Sequence, residues 1–552
     1  MRNNDWIVTV PPPTPNGGLH VGHLSGPYLA ADAFVKQLKL RGCSYAYTTF
    51  SDVNQSYVRV TAERQKVQPS QLAQQCSNDI HGTMALYQIE VSDFAIPDAA
   101  ECEQVRQFFL ELYRRGILVR KEYPTFFSPD RGMALDEAGV SGYCPKCLDE
   151  CKCGICESCG VLCDPNSLIA PRDTVTGSRR LQVRMVPLLV FEMERFREKI
   201  REFYRGNGRY RPRYGWLVAD ALAARLPDFP VTVEGSWGIP IRHDDLPGQV
   251  INAWSELVVH QLLDHKRRSR NGYPAPKVVN FLGFDNTYFY AIVHAALLIA
   301  SGEQDWLPYG SITNEFYNLD HSKFSTSRNH VIWARDLATR HSTDLIRFHT
   351  LLNSPGFERA NFNEAEMVAQ TDAALSQPWQ EVYQAYGRLL EDAGLNGAVS
   401  TEVRHAASAA LTRILDSLSL DRFHLRQAAQ DLLHFLGYIR AELCKPGSSA
   451  NDLAFALKAF AQTAFPLMPI DAQRLFWALT GKDLNQLDMA PESHPRPIPD
   501  GLFQVREGEN SARPRTEARY AVGAYGPRRT VGTNENGEGS DVRFGRRRHH
   551  GA

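Results

Sequence analysis

The chain has 552 residues, 43% of them hydrophobic and 22% charged, with a formal net charge of −1. That length suffices for two or more cored domains, and the near-zero charge excludes a bulk field that would pull in nucleic acid, so an RNA partner must be held by local patches. No apolar stretch approaches the ~20 residues that span a bilayer, and no secretory-signal pattern opens the chain, so a cytoplasmic protein with no membrane partner is expected.

In chain order, Trp6 to Val10 predicts a strand, followed by the loop PPPTPNGGLHVGH (Pro11 to His23), a helix from about Leu19 to Leu40 ended by Gly42, and a second strand, Ser44 to Phe50, with its tip at Asp52. This is a βαβ unit, which implies a parallel sheet with its binding site at the strand C-terminal ends. Around Tyr123 the pattern gives way to a polar, Cys- and Pro/Gly-rich segment lasting to about Pro240, too long for a loop and read as an inserted domain. At Lys277 the αβ pattern returns with the strand KVVNFLGF and the helix TYFYAIVHAALLIAS. After Asn361 the periodicity is helical; Leu425, Ala428, Ala429, Leu432, Leu436, Ile439 and Leu443 form one apolar stripe following an Asp421 cap. From Gln504 onward, ten Arg, no Lys and six acids amid Gly predict disorder, and the terminal FGRRRHHGA reads as a solvated tail in preference to an RNA contact.

The expected fold is therefore α/β: a Rossmann-like parallel-sheet catalytic domain (1–122 and 241–320) with a zinc-knuckle insertion (123–240). A clamp loop and connection (321–360), an all-α helix-bundle domain (361–490) and a disordered tail (491–552) follow.

A Gly-rich loop between strand and helix lets backbone approach a phosphate, and the helix N-terminus supplies unpaired N–H groups there. His20 and His23 flank Gly22 on the first helical turn, where imidazole N–H groups can stabilise charge developing on phosphate, while Gly22 leaves room for a flat base. HSKFSTSRN, His321 to Asn329, reads either as a mobile phosphate clamp or as a solvated surface loop. Seven of the eleven cysteines fall between Cys144 and Cys163. Cys144-x2-Cys147-x8-Cys156-x2-Cys159 offers four thiolates in two knuckle pairs, as a tetrahedral structural zinc requires; Cys151 and Cys153 leave a shifted ligand set open, and Cys163 reads as a small packing residue.

HVGH on a βα turn, an insertion, and KFSTS far downstream resemble a class I aminoacyl-tRNA synthetase. GYCPKC, CESCGVLCDPNSLIAPRDTVTG, WGIPI, FLGFDNTYFYAIV, TNEFYNLDHSKFSTSR, LIRFHTLLNSP and AFPLMPIDAQRLFWALTG are similar to the methionyl family, in its archaeal and eukaryotic form, over roughly residues 5 to 485. The resemblance implies ATP-dependent formation of an aminoacyl-adenylate and transfer to tRNA, with Mg²⁺ accompanying ATP and zinc structural. It makes His20, His23 and Lys323 catalytic and assigns Pro15, Asn16, Gly17, Gly22, Asp285, Ser325 and Ser327 to the ATP site. Pro12, Thr14, Asp52, Trp254 and Tyr290 are assigned to an amino acid expected to be methionine or a related apolar one.

Four departures from the family stand out. Thr326 replaces a clamp lysine; around Trp254 the family's pocket residues become Ser255, Leu257, Val258 and Gln261, with Thr14 and Tyr290 replacing a tyrosine and a histidine. DVNQSY replaces an acidic-histidine-glycine run, and SQPWQEVYQAY, with Gln380 and Gln384, replaces the anticodon-reading pattern. Three readings remain open: a divergent tRNA ligase, an adenylating paralogue that serves a non-tRNA acceptor, and a non-catalytic RNA-binding or regulatory scaffold.

Overall fold

The computed structural model describes residues 5–269, 275–324, 330–392 and 398–505. Four short strands pair in parallel: β1 (Trp6–Thr9), β2 (Tyr45–Thr48), β3 (Lys277–Gly283) and β4 (Gly310–Asn314), in the order β4-β3-β1-β2. Trp6 aligns with both Tyr45 and Lys277, and Val279 with Gly310. The chain passes from β1 to β2 on one side and reaches β3 on the other only after the insertion. The crevice at the C-terminal ends of β1 and β3 is thus a topological switch point, where ligands of open parallel sheets bind.

The helix predicted after β1 is interrupted. One turn, Val21–His23, runs into a π-helical stretch, Leu24–Tyr28, and regular helix resumes at Leu29–Leu40. Pro27 has no N–H to give the preceding turn. Gly26 leaves helical geometry (φ −82°, ψ −127°) at a place where an added Cβ would lie 3.2 Å from the Asn314 amide.

In the insertion, Leu118–Ser128 and Gln182–Glu192 form a long antiparallel ribbon. The small sheet Val140–Tyr143, Glu150–Lys152 and Ile169–Asp173 lies between them in sequence, and its core mixes Phe126, Leu135, Val140 and Leu168 with cysteine side chains. Downstream, the hairpin Tyr317–Leu319 and Ser322–Lys323 pairs with Ala360–Phe362 and leads into the helical bundle. Among the described residues no helix is long and apolar enough to cross a membrane.

Two sequence expectations are corrected in the bundle. The stripe helix Leu425–Tyr438 is capped by His424, whose ring accepts from the Gln427 N–H at 3.2 Å; Asp421 instead sits in a separate 3₁₀ turn, Leu420–Arg422, because the chain must first bury Phe423. Residues 491–505, expected in the disordered tail, are packed: Leu502 and Phe503 are fully buried, and the Phe503 N–H donates to Asp471 at 2.8 Å. The remainder of that tail lies outside the described residues.

Arg347 ties the two halves of the chain together. Wholly buried, it donates to Asp32 at 2.6 Å, to the carbonyl of Tyr87 at 2.7 Å, and to those of Pro466 and Leu467 at 3.0 and 3.1 Å. Asp32 also accepts from buried Lys36 at 2.6 Å. Removing one member of a buried ion network leaves charge and carbonyls unpaired, so Arg347→Leu should destabilise the fold by about 3 kcal/mol or more, read from urea unfolding. A change under about 1 kcal/mol would refute this account.

Candidate functional site

The loop after β1 feeds directly into the first helical turn, and the residue at that junction is His20. Its Nδ1 accepts from the His23 N–H at 3.3 Å, while His23 Nδ1 accepts from the His20 N–H at 3.2 Å, a reciprocal capping box built from two imidazoles. A backbone N–H can only donate, so both Nδ1 atoms are unprotonated and each neutral ring carries its proton on Nε2. The rings stack at 3.6 Å, and Phe324 stacks on the other face of His20 at 4.7 Å. Both line a cleft of about 410 Å³, so solvent reaches them while protein surrounds them on most sides. That loss of bulk water lowers the pKa of His23 to about 4; burial and then the neighbouring His23 lower His20 too, which leaves both as neutral N–H donors at pH 7. A Cβ on Gly22 would lie 3.0 Å from the His20 ring and from Phe324, so any larger residue would have to push both rings aside.

Asp52, in the loop that follows β2, is 3% exposed. Its Oδ2 accepts from Thr14 Oγ1 at 3.5 Å and Gln55 Nε2 at 3.4 Å, and its Oδ1 has no partner. Burial raises its pKa to about 7 against the pull of those two hydrogen bonds. A cation brought within reach would favour the ionised form of a carboxyl in this state. Trp254 forms another part of the wall; its Nε1 donates to Glu137 at 2.7 Å and its ring stacks on Phe289 at 3.7 Å. Burial raises Glu137 to about 7.

Lys323 enters the same cleft from the hairpin and is ion-paired with Glu157 of the second cysteine turn. Burial pulls its pKa down, but Glu157 and Asp285 outweigh that and the net shift is upward, so the ammonium stays charged. Asp285, following β3, is itself raised to about 6 by burial.

Cys144, Cys147, Cys156 and Cys159 converge with all four sulfurs within 4.8 Å of one another, the only such metal-ligating cluster among the described residues. Cys144 to Cys159 is 3.6 Å and Cys147 to Cys156 is 3.5 Å. A tetrahedron of sulfurs at ~2.3 Å from Zn²⁺ has edges of about 3.8 Å, so these residues fit the metal. Cys151 lies outside the cluster, in contact with Cys163 at 3.8 Å, and Cys153 Sγ contacts the Cys163 carbonyl at 3.7 Å.

Of the residues singled out in the sequence, Pro12, Thr14, Asn16, Gly17, His20, Gly22, His23, Asp52, Trp254, Asp285 and Lys323 share the cleft. Pro15 is buried off its lining, and Tyr290 faces a separate small cavity. Ser325, Thr326 and Ser327 lie outside the described residues. Sequence reasoning missed Glu137, Glu157 and Phe324. Glu157 stands inside CESC and Phe324 beside Lys323, but only folding brings either to His20 or Lys323.

A parallel sheet with paired imidazoles at its switch point, a cysteine-knuckle insertion and a following helical bundle defines a class I synthetase architecture. The chain belongs to the class I tRNA synthetase family: the model described as tRNA synthetases class I (M) matches residues 6–384. It is 28% identical over 395 residues to a methionine--tRNA ligase of Roseiflexus sp. (strain RS-1), covering 68% of this chain and 66% of that protein. To the methionine--tRNA ligase of Rubrobacter xylanophilus it is 26% identical over 399 residues, covering 68% and 69%. The chain thus spans about two thirds of the length of these relatives. In fold it is similar to Mycobacterium tuberculosis methionyl-tRNA synthetase in complex with methionyl-adenylate, with a TM-score of 0.70, 17% identity, and coverage of 91% of this chain and 99% of that one.

Proposed function

We propose that the protein activates an amino acid with ATP as its aminoacyl-adenylate and transfers the aminoacyl group to tRNA, the reaction for which its methionine--tRNA ligase relatives are named. The observation that carries this reading is the reciprocal His20–His23 cap, which presents two neutral Nε2–H donors at the switch point in the same cleft as the Lys323 ammonium. An amino acid carboxylate oxygen attacks the α-phosphorus, the bond to the bridging oxygen breaks, and pyrophosphate leaves with the electron pair. The imidazoles stabilise charge on the phosphoryl oxygens, and Lys323 receives the departing pyrophosphate once it exchanges Glu157 for phosphate. Adenine packing on Gly22 requires Phe324 to withdraw. Mg²⁺ enters as part of the nucleotide substrate. Four thiolates hold zinc, which supplies no chemistry to the reaction and orders the turn that carries Glu157.

Amino-acid-dependent exchange of labelled pyrophosphate into ATP tests activation, and acceptor-dependent AMP release with and without tRNA tests transfer. Exchange with no amino acid, from folded zinc-loaded protein, would overturn the proposal. One observation favours a second reading, transfer to a non-tRNA acceptor: Trp379 is 1% exposed against Phe460 and Phe503, and Gln380 is held by Gln504 at 2.5 Å, so neither is presented to a base.

The pKa of Asp52 gives this proposal a pH signature. Below about 7 its carboxyl is neutral and cannot pair with a substrate ammonium; above, it can. KM for the amino acid should therefore fall about tenfold between pH 6 and pH 8, as the ionised fraction rises from roughly a tenth to nine tenths. Asp52→Asn should raise KM and flatten that profile. A KM independent of pH in the wild-type protein would remove Asp52 from the ammonium site.

A further inference from the structure

The helix Ala253–Arg268 serves two cavities. Trp254 and Leu257 line the nucleotide cleft, and further along the helix Val258, Gln261 and His265 line a separate cavity of about 30 Å³. Tyr290 and His294, one helical turn apart after β3, close it. Apolar side chains such as Val258, Leu262 and Leu298 supply most of the lining, yet Gln261, His265, Tyr290 and His294, each at most 8% exposed, are set among them, and Tyr290 meets both Gln261 and the His294 ring.

Their hydrogen-bond inventory is incomplete. Gln261 Nε2 donates to the Tyr290 hydroxyl at 2.8 Å, which makes that oxygen an acceptor and leaves the Tyr290 proton for another partner. His294 Nε2 lies 3.1 Å from the Trp254 carbonyl. A carbonyl can only accept, so His294 carries its proton on Nε2, and its Nδ1 is a bare acceptor with no partner. His265 Nε2 is also unpartnered. Burial lowers both imidazoles to about 4, so they are uncharged, and neither acid nor base lines the cavity. The His294 bond to the Trp254 carbonyl ties this cavity to the cleft wall that Trp254 and Asp52 share.

We propose that this cavity receives the side chain of the activated amino acid, and that this side chain is uncharged and ends in a hydroxyl or carboxamide rather than a thioether. The inference rests on the activation reading above. A hydroxyl or amide N–H satisfies His294 Nδ1, and the oxygen of the same group accepts from Tyr290. A thioether donates nothing and leaves the imidazole lone pair buried and unpaired. Sites built to hydrogen-bond a substrate group reject analogues lacking it far more strongly than apolar pockets separate homologues.

The test is pyrophosphate exchange with methionine, glutamine, asparagine, homoserine and threonine, in wild type, Gln261→Leu and His294→Phe. One of the four polar amino acids should exceed methionine in kcat/KM by about 10²-fold or more, and His294→Phe should erase most of that margin while leaving KM for ATP unchanged. Methionine equalling every polar amino acid, or a margin unmoved in His294→Phe, overturns the inference. If wild type exchanges with none, the activation reading fails. Calorimetric titration of the same amino acids then decides this one by itself: binding of a polar member but not methionine supports it, and any other pattern sinks it.

Discussion

Replacing His20 with asparagine lowers amino-acid-dependent pyrophosphate exchange by about 10²- to 10³-fold and leaves thermal unfolding nearly unchanged. The distinction matters because His20 has two duties. Its Nδ1 caps the helix that opens at Val21, and its Nε2–H is the donor offered to phosphate. Asparagine keeps a good cap acceptor and removes the donor; alanine removes both and should add about 1 kcal/mol of destabilisation. Asparagine also abolishes the stack with His23 and Phe324, but those rings line the cleft, and Phe324, only partly buried, keeps its packing against the core. Exchange retained within threefold of wild type in His20→Asn would reduce the imidazole to a cap.

Zinc removal should have the larger structural effect. With Cys156→Ser, or after chelation, metal analysis should fall from one zinc per chain towards none, the insertion should become protease-sensitive, and exchange should be lost, while helical circular dichroism from the bundle persists. The small sheet cannot hold itself together by apolar burial, because four of the eight fully buried residues of its core are Cys144, Cys151, Cys156 and Cys163. Structural zinc sites contribute on the order of 10 kcal/mol of apparent binding free energy, more than a domain's usual margin. Glu157 sits between two ligands, so loss of the metal should also displace the counter-ion of Lys323. Metal-free protein with unchanged protease resistance would show that the thiols alone sustain the insertion.

Local signals in the sequence are the ones the fold honours. β1, its loop, β2 and β3 follow from short apolar runs and turn residues, and the knuckle spacing selects the four sulfurs that converge. The misses are long-range or stereochemical. Gly26 and Pro27 announce an interruption near Leu24 but not its π-helical form, whose cause lies partly at Asn314 on β4. His424 displaces Asp421 as a cap because burial of Phe423 shifts where the helix can start. Tyr290 occupies the expected helix, but its pairing with Gln261 on a helix some thirty residues earlier could not be read from either segment alone. Phe503 carries an aromatic anchor inside a stretch whose composition otherwise speaks for disorder.

Arg347 limits how this chain can be dissected. Its guanidinium is shared among an acid on the first long helix, a carbonyl at Tyr87, and two carbonyls just before the final helix, Pro469–Thr480. A catalytic fragment truncated ahead of Pro466 would bury a guanidinium robbed of two acceptors, and a fragment truncated before Arg347 would leave Asp32 with Lys36 and the Glu90 N–H but no guanidinium. Chimaeras that graft a foreign bundle onto this nucleotide-binding half should therefore succeed only when the donor restores two carbonyls at the bend occupied by Pro466 and Leu467, which makes that bend the seam along which modules can be exchanged.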